Sequence, residues 1–170
     1  MAYVDGFVLP IPRKNAAAYE RMPTEWADMT PEQQAMAETA YASYKASAKD
    51  QFLWMTQDPD GPRIQVDFVD PQDEYGIGSL SSSKPFEAEA AYAEMLEDVR
   101  VNSHLKVRKS EQDQPNRFMV EVDPETGLSY NDMTRAVHDF FGHAQAGNNF
   151  SRHGENIAYI LQCQSFPPED

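Results

Sequence analysis

The feature that most restricts how this chain can fold is a helix signal that begins at residue 30. Thr30 offers a hydroxyl N-cap, Pro31 stands at the first helical position, and Gln33 can close a capping box. Apolar side chains then follow at near-helical spacing, at Met36, Ala40, Tyr44, Ala48 and Phe52. This spacing predicts a helix of about five turns.

Four short segments have the composition of strands. Ile64, Val66 and Phe68 alternate with polar neighbours, which predicts a half-buried strand. The other three candidates cover residues 3–9, 104–108 and 118–122. Residues 123–127 contain Pro and Gly and predict a turn after the last of these strands.

Three further helices are predicted in the second half of the chain. One begins at Pro85 and is expected to turn Ala90 and Ala93 inward. The next is capped by Ser129 or Asn131 and runs through Val137, and a final short helix covers residues 157–164.

Strands and helices alternate without a regular βαβ order, which favours an α+β fold over a doubly wound sheet. The length of 170 residues suits one domain. We therefore predict a single α+β domain over residues 1–170, with a small antiparallel or mixed sheet and about four to five helices. Residues 1–29 form an N-terminal strand and short-helix extension to a core at residues 30–170.

The charge balance excludes one class of partner. Twenty-eight acidic against fourteen basic residues give a net charge of −14, which argues against direct binding to a nucleic-acid backbone. Cys163 is the single cysteine and cannot form an internal disulfide. No apolar run approaches the roughly 18 residues of a membrane-spanning helix, and no basic leader precedes an apolar run. We expect a cytoplasmic or virion-associated protein with no membrane partner.

Three of the four histidines fall within sixteen residues, at His138, His143 and His153, and Glu155 follows closely. Imidazole and carboxylate ligands suit Fe, Zn or Mn. His138 and His143 are five residues apart, which on a straight α-helix separates their side chains by about 140°. We therefore expect the helix to end or bulge near Gly142, so that both imidazoles reach one site.

Asp139 and His143 are four residues apart and share one face of an α-helix. This spacing predicts a hydrogen bond in which the Asp139 carboxylate orients the His143 ring. Glu155, rather than the terminal Asp170, is expected to supply the third metal ligand because a chain end is costly to order.

The segment from His138 to His143, His-Asp-Phe-Phe-Gly-His, resembles the iron-binding signature of the aromatic amino acid hydroxylases. The resemblance implies that His138 and His143 are two ligands of a 2-His-1-carboxylate iron site. The glutamate of that family has no counterpart at the matching distance, so Glu155 would complete the site in a new arrangement. The hexapeptide is the whole extent of this resemblance.

A broader resemblance runs from about residue 37 to the C-terminus, to proteins encoded by bacteriophages and mobile elements. It rests on Asp-Val-Arg-Val-Asn-Ser-His-Leu at residues 98–105, on the stretch at residues 131–144 and on Gly-Glu-Asn at residues 154–156. It implies a phage origin and a motif set rather than a reaction. The first 22 or so residues instead resemble a ferredoxin-like family of uncharacterised bacterial proteins.

His104 followed by His138-Asp139 also suggests a metal-dependent nucleotide phosphohydrolase, with Glu155 in place of a later aspartate. A third alternative is a non-enzymatic acidic protein, virion-associated or directed against host defence, in which the histidines only tie the last helices together. A phage or host protein would then be the partner.

The leading hypothesis is a phage-type metalloprotein, specifically a non-haem iron enzyme acting on a small molecule that the sequence does not identify. His138, His143 and Glu155 are the expected metal ligands, with Fe(II) favoured over Zn or Mn because two histidines and a carboxylate leave open coordination positions. Three further residues are candidate catalytic groups: Asp139 as an orienting group or base, and His104 and Arg135 as contacts to substrate or phosphate.

Overall fold

The structure is a computed structural model, and it describes residues 26–71, 73–76, 88–110 and 118–165. The strand expected at residues 3–9 and the helix start expected at Pro85 lie outside these ranges, as does Asp170.

The first long helix, α1, covers Pro31–Thr56 after a short 3-10 turn at Trp26–Asp28. Its capping box is confirmed, because the Thr30 hydroxyl accepts a hydrogen bond from the Gln33 amide and the Gln33 side chain accepts one from the Thr30 amide. The helix is longer than predicted, and Met36 is exposed. Its buried stripe consists of Ala37, Ala40, Tyr44, Ala48, Phe52 and Met55.

Two strands form a parallel pair, β1 at Gln65–Val69 and β2 at His104–Arg108. The register runs from Gln65 opposite His104 to Val69 opposite Arg108. Parallel strands need a long connection, and here it includes helix α2 at Ala88–Glu97 and a π-helical turn at Asp98–Asn102. Leu105 and Val107 of β2 are fully buried.

The inward face of α2 differs from the prediction by one position. Ala91 and Met95 are buried, whereas Ala90 and Ala93 are exposed. Ala91 also packs beneath Gly76, where an added Cβ would come within 2.5 Å of the Ala91 Cβ.

The strand expected at residues 118–122 is wrong. These residues form a turn and one isolated antiparallel bridge between Val122 and Ser129. Phe118 stacks on Tyr41 of α1, with ring centroids 4.5 Å apart. Among the residues that the structure describes, this segment pairs only with the approach to the next helix, and that chain turns helical immediately after Ser129. The turn at residues 123–127 is confirmed, with Gly127 at φ +71°.

Helix α3 covers Tyr130–Val137 and continues as a π-helical segment at His138–Gln145, and helix α4 covers Arg152–Gln164. α3 packs on α1 and β2, and α4 packs on the π-helical segment. The core lies between α1, the two strands and α3, with Met55, Met95, Leu105 and Met133 almost wholly inaccessible to solvent.

The predicted α+β single domain is confirmed, with four α-helices and a small parallel pair of strands in the described part of the chain. Within those same residues, the structure contains no helix of sufficient length and apolar character to cross a membrane.

Candidate metal centre

The start of α3 is held by a closed set of hydrogen bonds. Ser129 is the N-cap: its hydroxyl accepts from the Asp132 amide at 3.0 Å and donates to the Asp132 carboxylate at 2.8 Å. The same carboxylate accepts from the Ser110 amide at 2.8 Å. The first turn of α3 is therefore tied to the chain that leaves β2, and this fixes the direction in which α3 carries the histidines.

The predicted bulge is confirmed as a π-helical segment that begins at His138 and includes Gly142 and His143. A π-helix bonds residue i to residue i+5, so its wider turn returns a side chain five positions along to the same side. The Nε2 atoms of His138 and His143 consequently lie 3.0 Å apart. The five-residue spacing thus brings both imidazoles to one point.

Gly142 allows α4 to approach this segment closely. A Cβ added at Gly142 would lie 2.8 Å from the Cβ of Ala158, which is itself fully buried. Two helical segments can come this near only where small residues face each other. Ala158 lies three positions after Glu155, so the Gly142–Ala158 contact places the first turn of α4 beside the histidines.

Glu155 is positioned by the cap of α4. Ser151 is the N-cap, and its hydroxyl accepts a hydrogen bond from the Gly154 amide at 3.2 Å. Gly154 lies so close to Asn149 that a side chain there would overlap the Asn149 carbonyl. Glu155 therefore projects from the first helical turn, where the helix dipole favours a carboxylate.

These elements bring together the three residues that the sequence predicted as metal ligands. The Glu155 Oε2 atom lies 3.4 Å from the His138 Nε2 and 3.5 Å from the His143 Nε2. One ligand atom from each of the three residues lies within 4.8 Å of the other two. The His143 side chain is 1% exposed and that of Glu155 is 48% exposed, so solvent reaches the group from the Glu155 side.

His143 is held in a single tautomer. Its Nδ1 lies 2.9 Å from the backbone carbonyl of Asn148. A carbonyl can only accept, so Nδ1 carries a proton. When the ring is neutral, Nε2 therefore presents its lone pair to the group; when the ring is charged, Nε2 donates to Glu155. The Asn148 side chain in turn donates to the Gly142 carbonyl at 2.9 Å, and the His143 ring packs edge-on against Phe150.

His138 has an equivalent partner in Gln162 on α4. Its Nδ1 lies 3.1 Å from the Gln162 Oε1. When Nδ1 donates to this oxygen, Nε2 is free to bind a metal, as for His143. In both histidines, a polar group thus faces Nδ1 and can orient the ring so that the Nε2 lone pair points toward the proposed metal position.

The ionisation of the group also suits a metal. Burial opposes the charge on Glu155, but hydrogen bonds from His138 and His143, together with their charges, lower its pKa to about 2. For His138, burial alone would lower the pKa, yet the Glu155 hydrogen bond and the Asp139 and Glu155 charges raise it above its ordinary value. Glu155 is therefore an ionised ligand, and in the metal-free protein a proton is attracted to the place where a cation would bind.

The spacing of the three atoms fits a first-row transition metal. Two donors about 2.1 Å from one ion are about 3.0 Å apart at a right angle and about 3.4 Å apart at the tetrahedral angle. The observed separations of 3.0, 3.4 and 3.5 Å span these values. The donor set therefore fits one ion with little movement.

The predicted hydrogen bond in which the Asp139 carboxylate accepts from the His143 ring is wrong. The two ring nitrogens of His143 instead face the Asn148 carbonyl and the His138 Nε2. Asp139 is partly buried, and burial raises its pKa against the effect of the neighbouring His138, His143 and Arg135 charges. The positive charge of Arg135 lowers the pKa of both Asp139 and Glu74, so Arg135 lies near these two carboxyl groups.

His104 lies in a different cluster. Its Nδ1 is 2.6 Å from the Asp98 carboxylate and its Nε2 is 3.1 Å from that of Asp67. Asp98 also accepts from the Tyr75 hydroxyl at 2.8 Å. The structure therefore pairs His104 with two carboxylates at the edge of the strand pair, and not with His138 as the phosphohydrolase hypothesis requires.

We expect the His104 cluster to make stability depend on pH. Burial alone would lower the pKa of His104, but Asp98 and Asp67 raise it; burial would raise the pKa of Asp98, but Asn102, His104 and Tyr75 lower it. Because the pKa of His104 is higher in the folded protein than in the unfolded chain, protonation of His104 stabilises the fold. This stabilisation is complete below about pH 6.5, the pKa in the unfolded chain, and it is lost as pH rises through the pKa of the folded protein. The contribution from Asp98 is lost at the acidic end, as pH falls through its lowered pKa.

We therefore expect His104→Asn to lower the free energy of unfolding by more near pH 6 than near pH 9. Urea denaturation at a series of pH values measures this difference. A difference that stays constant across that range would contradict the assignment.

Sequence reasoning did not identify Asn148 or Gln162 as partners of the histidines. Asn148 acts through its backbone carbonyl, which leaves no signal in residue type. Gln162 lies seven positions after Glu155, so it shares a face of α4 with that ligand, and this spacing was a usable signal.

Comparison of the chain with protein-family models, curated proteins and solved structures finds no significant match.

Proposed function

We propose that this protein is a metalloenzyme that binds one divalent transition metal through His138, His143 and Glu155. The observation that carries the proposal is the convergence of these three ligand atoms, with the His143 tautomer set by a backbone carbonyl. Fe(II) is the favoured metal, with Zn and Mn as alternatives. Two histidines and one carboxylate leave coordination positions open for a small-molecule substrate.

The ligands support a catalytic rather than a purely structural metal. The fold has a core of its own, and a chain of this length needs no metal to be stable. One ligand is half exposed, so substrate can reach the ion. The resemblance to phage and mobile-element proteins supports a phage-type protein acting in the host cytoplasm.

Elemental analysis of protein purified without a histidine tag tests the metal site directly. We expect about one equivalent of metal, and Glu155→Gln should lower the affinity at least tenfold, because the amide lacks the negative charge. His153→Ala is the matched control, since His153 is exposed in the same helical turn and does not belong to the group formed by His138, His143 and Glu155. Loss of metal in the control but not in Glu155→Gln would refute the ligand assignment.

One observation favours a second candidate. The His138, His143 and Glu155 side chains lie within hydrogen-bonding distance of one another, and this contact joins α4 to the π-helical segment. The group can thus serve as a structural tie in a non-enzymatic acidic protein. Absence of metal, together with unaltered partner binding in His138→Ala, would favour that alternative.

A further inference from the structure

A cleft of about 840 Å³ has His138 in its lining but neither His143 nor Glu155. α1 forms one wall with Trp54, and the π-helical segment and α4 form the other with Phe141 and Leu161. His138 and Gln162 both line it. A volume of this size is typical of small-molecule sites.

The walls specify the chemical class of the occupant. The Trp54 and Phe141 rings have centroids 5.8 Å apart at 31°, and Trp54 is 39% exposed, so an aromatic face is available for stacking. Apart from His138, whose Nε2 faces the Glu155 carboxylate, the charged side chains on the walls are Asp50 and Asp58, and none of the described lining residues is Lys or Arg. This charge distribution attracts a cation and repels an anion.

Gln162 provides a second, independent observation. Its Nε2 atom is buried and has no hydrogen-bond partner among the described residues, while its Oε1 faces the His138 Nδ1. An unpartnered buried donor costs free energy. An occupant that accepts a hydrogen bond from this amide would remove that cost.

We propose that this cleft binds a small aromatic cation that also carries a hydrogen-bond acceptor, and that the occupant is coupled to the metal through Gln162 and His138. The coupling rests on the proposed function, whereas binding in the cleft does not. An occupant that accepts a hydrogen bond from the Gln162 side-chain amide keeps the Gln162 Oε1 in position to accept one from the His138 Nδ1–H. This hydrogen bond holds the His138 ring in the orientation that directs its Nε2 toward His143 and Glu155.

Binding of two matched probes in EDTA tests the cleft independently of metal. Tryptamine and indole-3-acetate share a ring and differ in the sign of their charge, and isothermal calorimetry with the full chain measures both. We expect tryptamine to bind at least about tenfold more tightly than indole-3-acetate. The double variant Asp50→Asn/Asp58→Asn should remove most of this preference, and Trp54→Ala should weaken both probes.

Equal affinity for the two probes, or tighter binding of indole-3-acetate, would overturn the proposal. So would tryptamine binding that is unaffected by Trp54→Ala. If tryptamine binds only a chain that ends at Ser165, then the last residues of the chain occupy the cleft, and the proposal also fails.

The coupling is tested by titrating Co²⁺ with and without saturating 5-hydroxytryptamine, whose phenol oxygen can accept a hydrogen bond from the Gln162 amide. We expect a severalfold lower Kd for Co²⁺ when 5-hydroxytryptamine is present, because an occupant coupled to the metal changes its affinity. Gln162→Leu should remove this difference. No Co²⁺ binding in any form would refute the metal site while the calorimetry in EDTA still decides the cleft. Equal Co²⁺ affinities with and without 5-hydroxytryptamine would refute the coupling alone.

Discussion

Replacing Gly142 by alanine is expected to destabilise the protein by about 1 to 3 kcal/mol and to weaken metal binding at the same time. The added methyl would lie 2.8 Å from the Ala158 Cβ and 3.3 Å from its Cα, so α4 must move away from the π-helical segment. Glu155 moves with the helix. We therefore expect metal affinity to fall about tenfold, in the range seen when groups that support metal ligands are changed.

The double variant Gly142→Ala/Ala158→Gly separates a clash from a general loss of helix stability. Removing the opposing methyl restores the space, although glycine inside α4 costs about 1 kcal/mol by itself. The double variant should be more stable than the sum of the two single changes implies, and it should recover metal affinity. Strictly additive effects in denaturation and metal titration would contradict the close-approach explanation.

Replacing His143 by alanine is expected to abolish metal binding and to cost about 2 to 4 kcal/mol of stability in EDTA. The ring is 1% exposed and packs against Phe150, so its loss leaves a cavity. The Asn148 carbonyl also loses the hydrogen bond that His143 donates. Chemical denaturation in EDTA and metal titration measure the two effects separately.

His138→Ala provides the comparison for this prediction. Its side chain is 21% exposed, so the substitution should remove metal binding with a smaller loss of stability than His143→Ala. Retention of native metal affinity in either variant would remove that histidine from the ligand set. Equal stability losses would show that burial does not distinguish the two positions.

The sequence was most informative where one residue type decides the local geometry. The Thr30 capping box predicted the start of α1, and the five-residue spacing of His138 and His143 predicted a break in helical geometry that the structure confirms. Both predictions depend on interactions between near neighbours in the chain. Such interactions are contained in the sequence itself.

The errors arise where distant contacts override a local pattern. Asp139 has the correct spacing for His143 on an α-helix, but the Asn148 carbonyl, brought in by the chain reversal before α4, bonds to the imidazole instead. Residues 118–122 have strand composition, yet the Phe118 ring packs on Tyr41 of α1, and their pairing in the described part of the chain is limited to one bridge. Neither competing contact has a periodic signal along the chain.

The three candidate ligands all lie between residues 138 and 155, whereas pairing of the strands joins residue 65 to residue 104. The entropy lost on closing a loop rises with the logarithm of its length, so gathering the ligands closes a shorter loop than forming the sheet. The chain can therefore assemble this group before its strands meet. A metal captured at that stage would act on the folding pathway as well as on the finished protein.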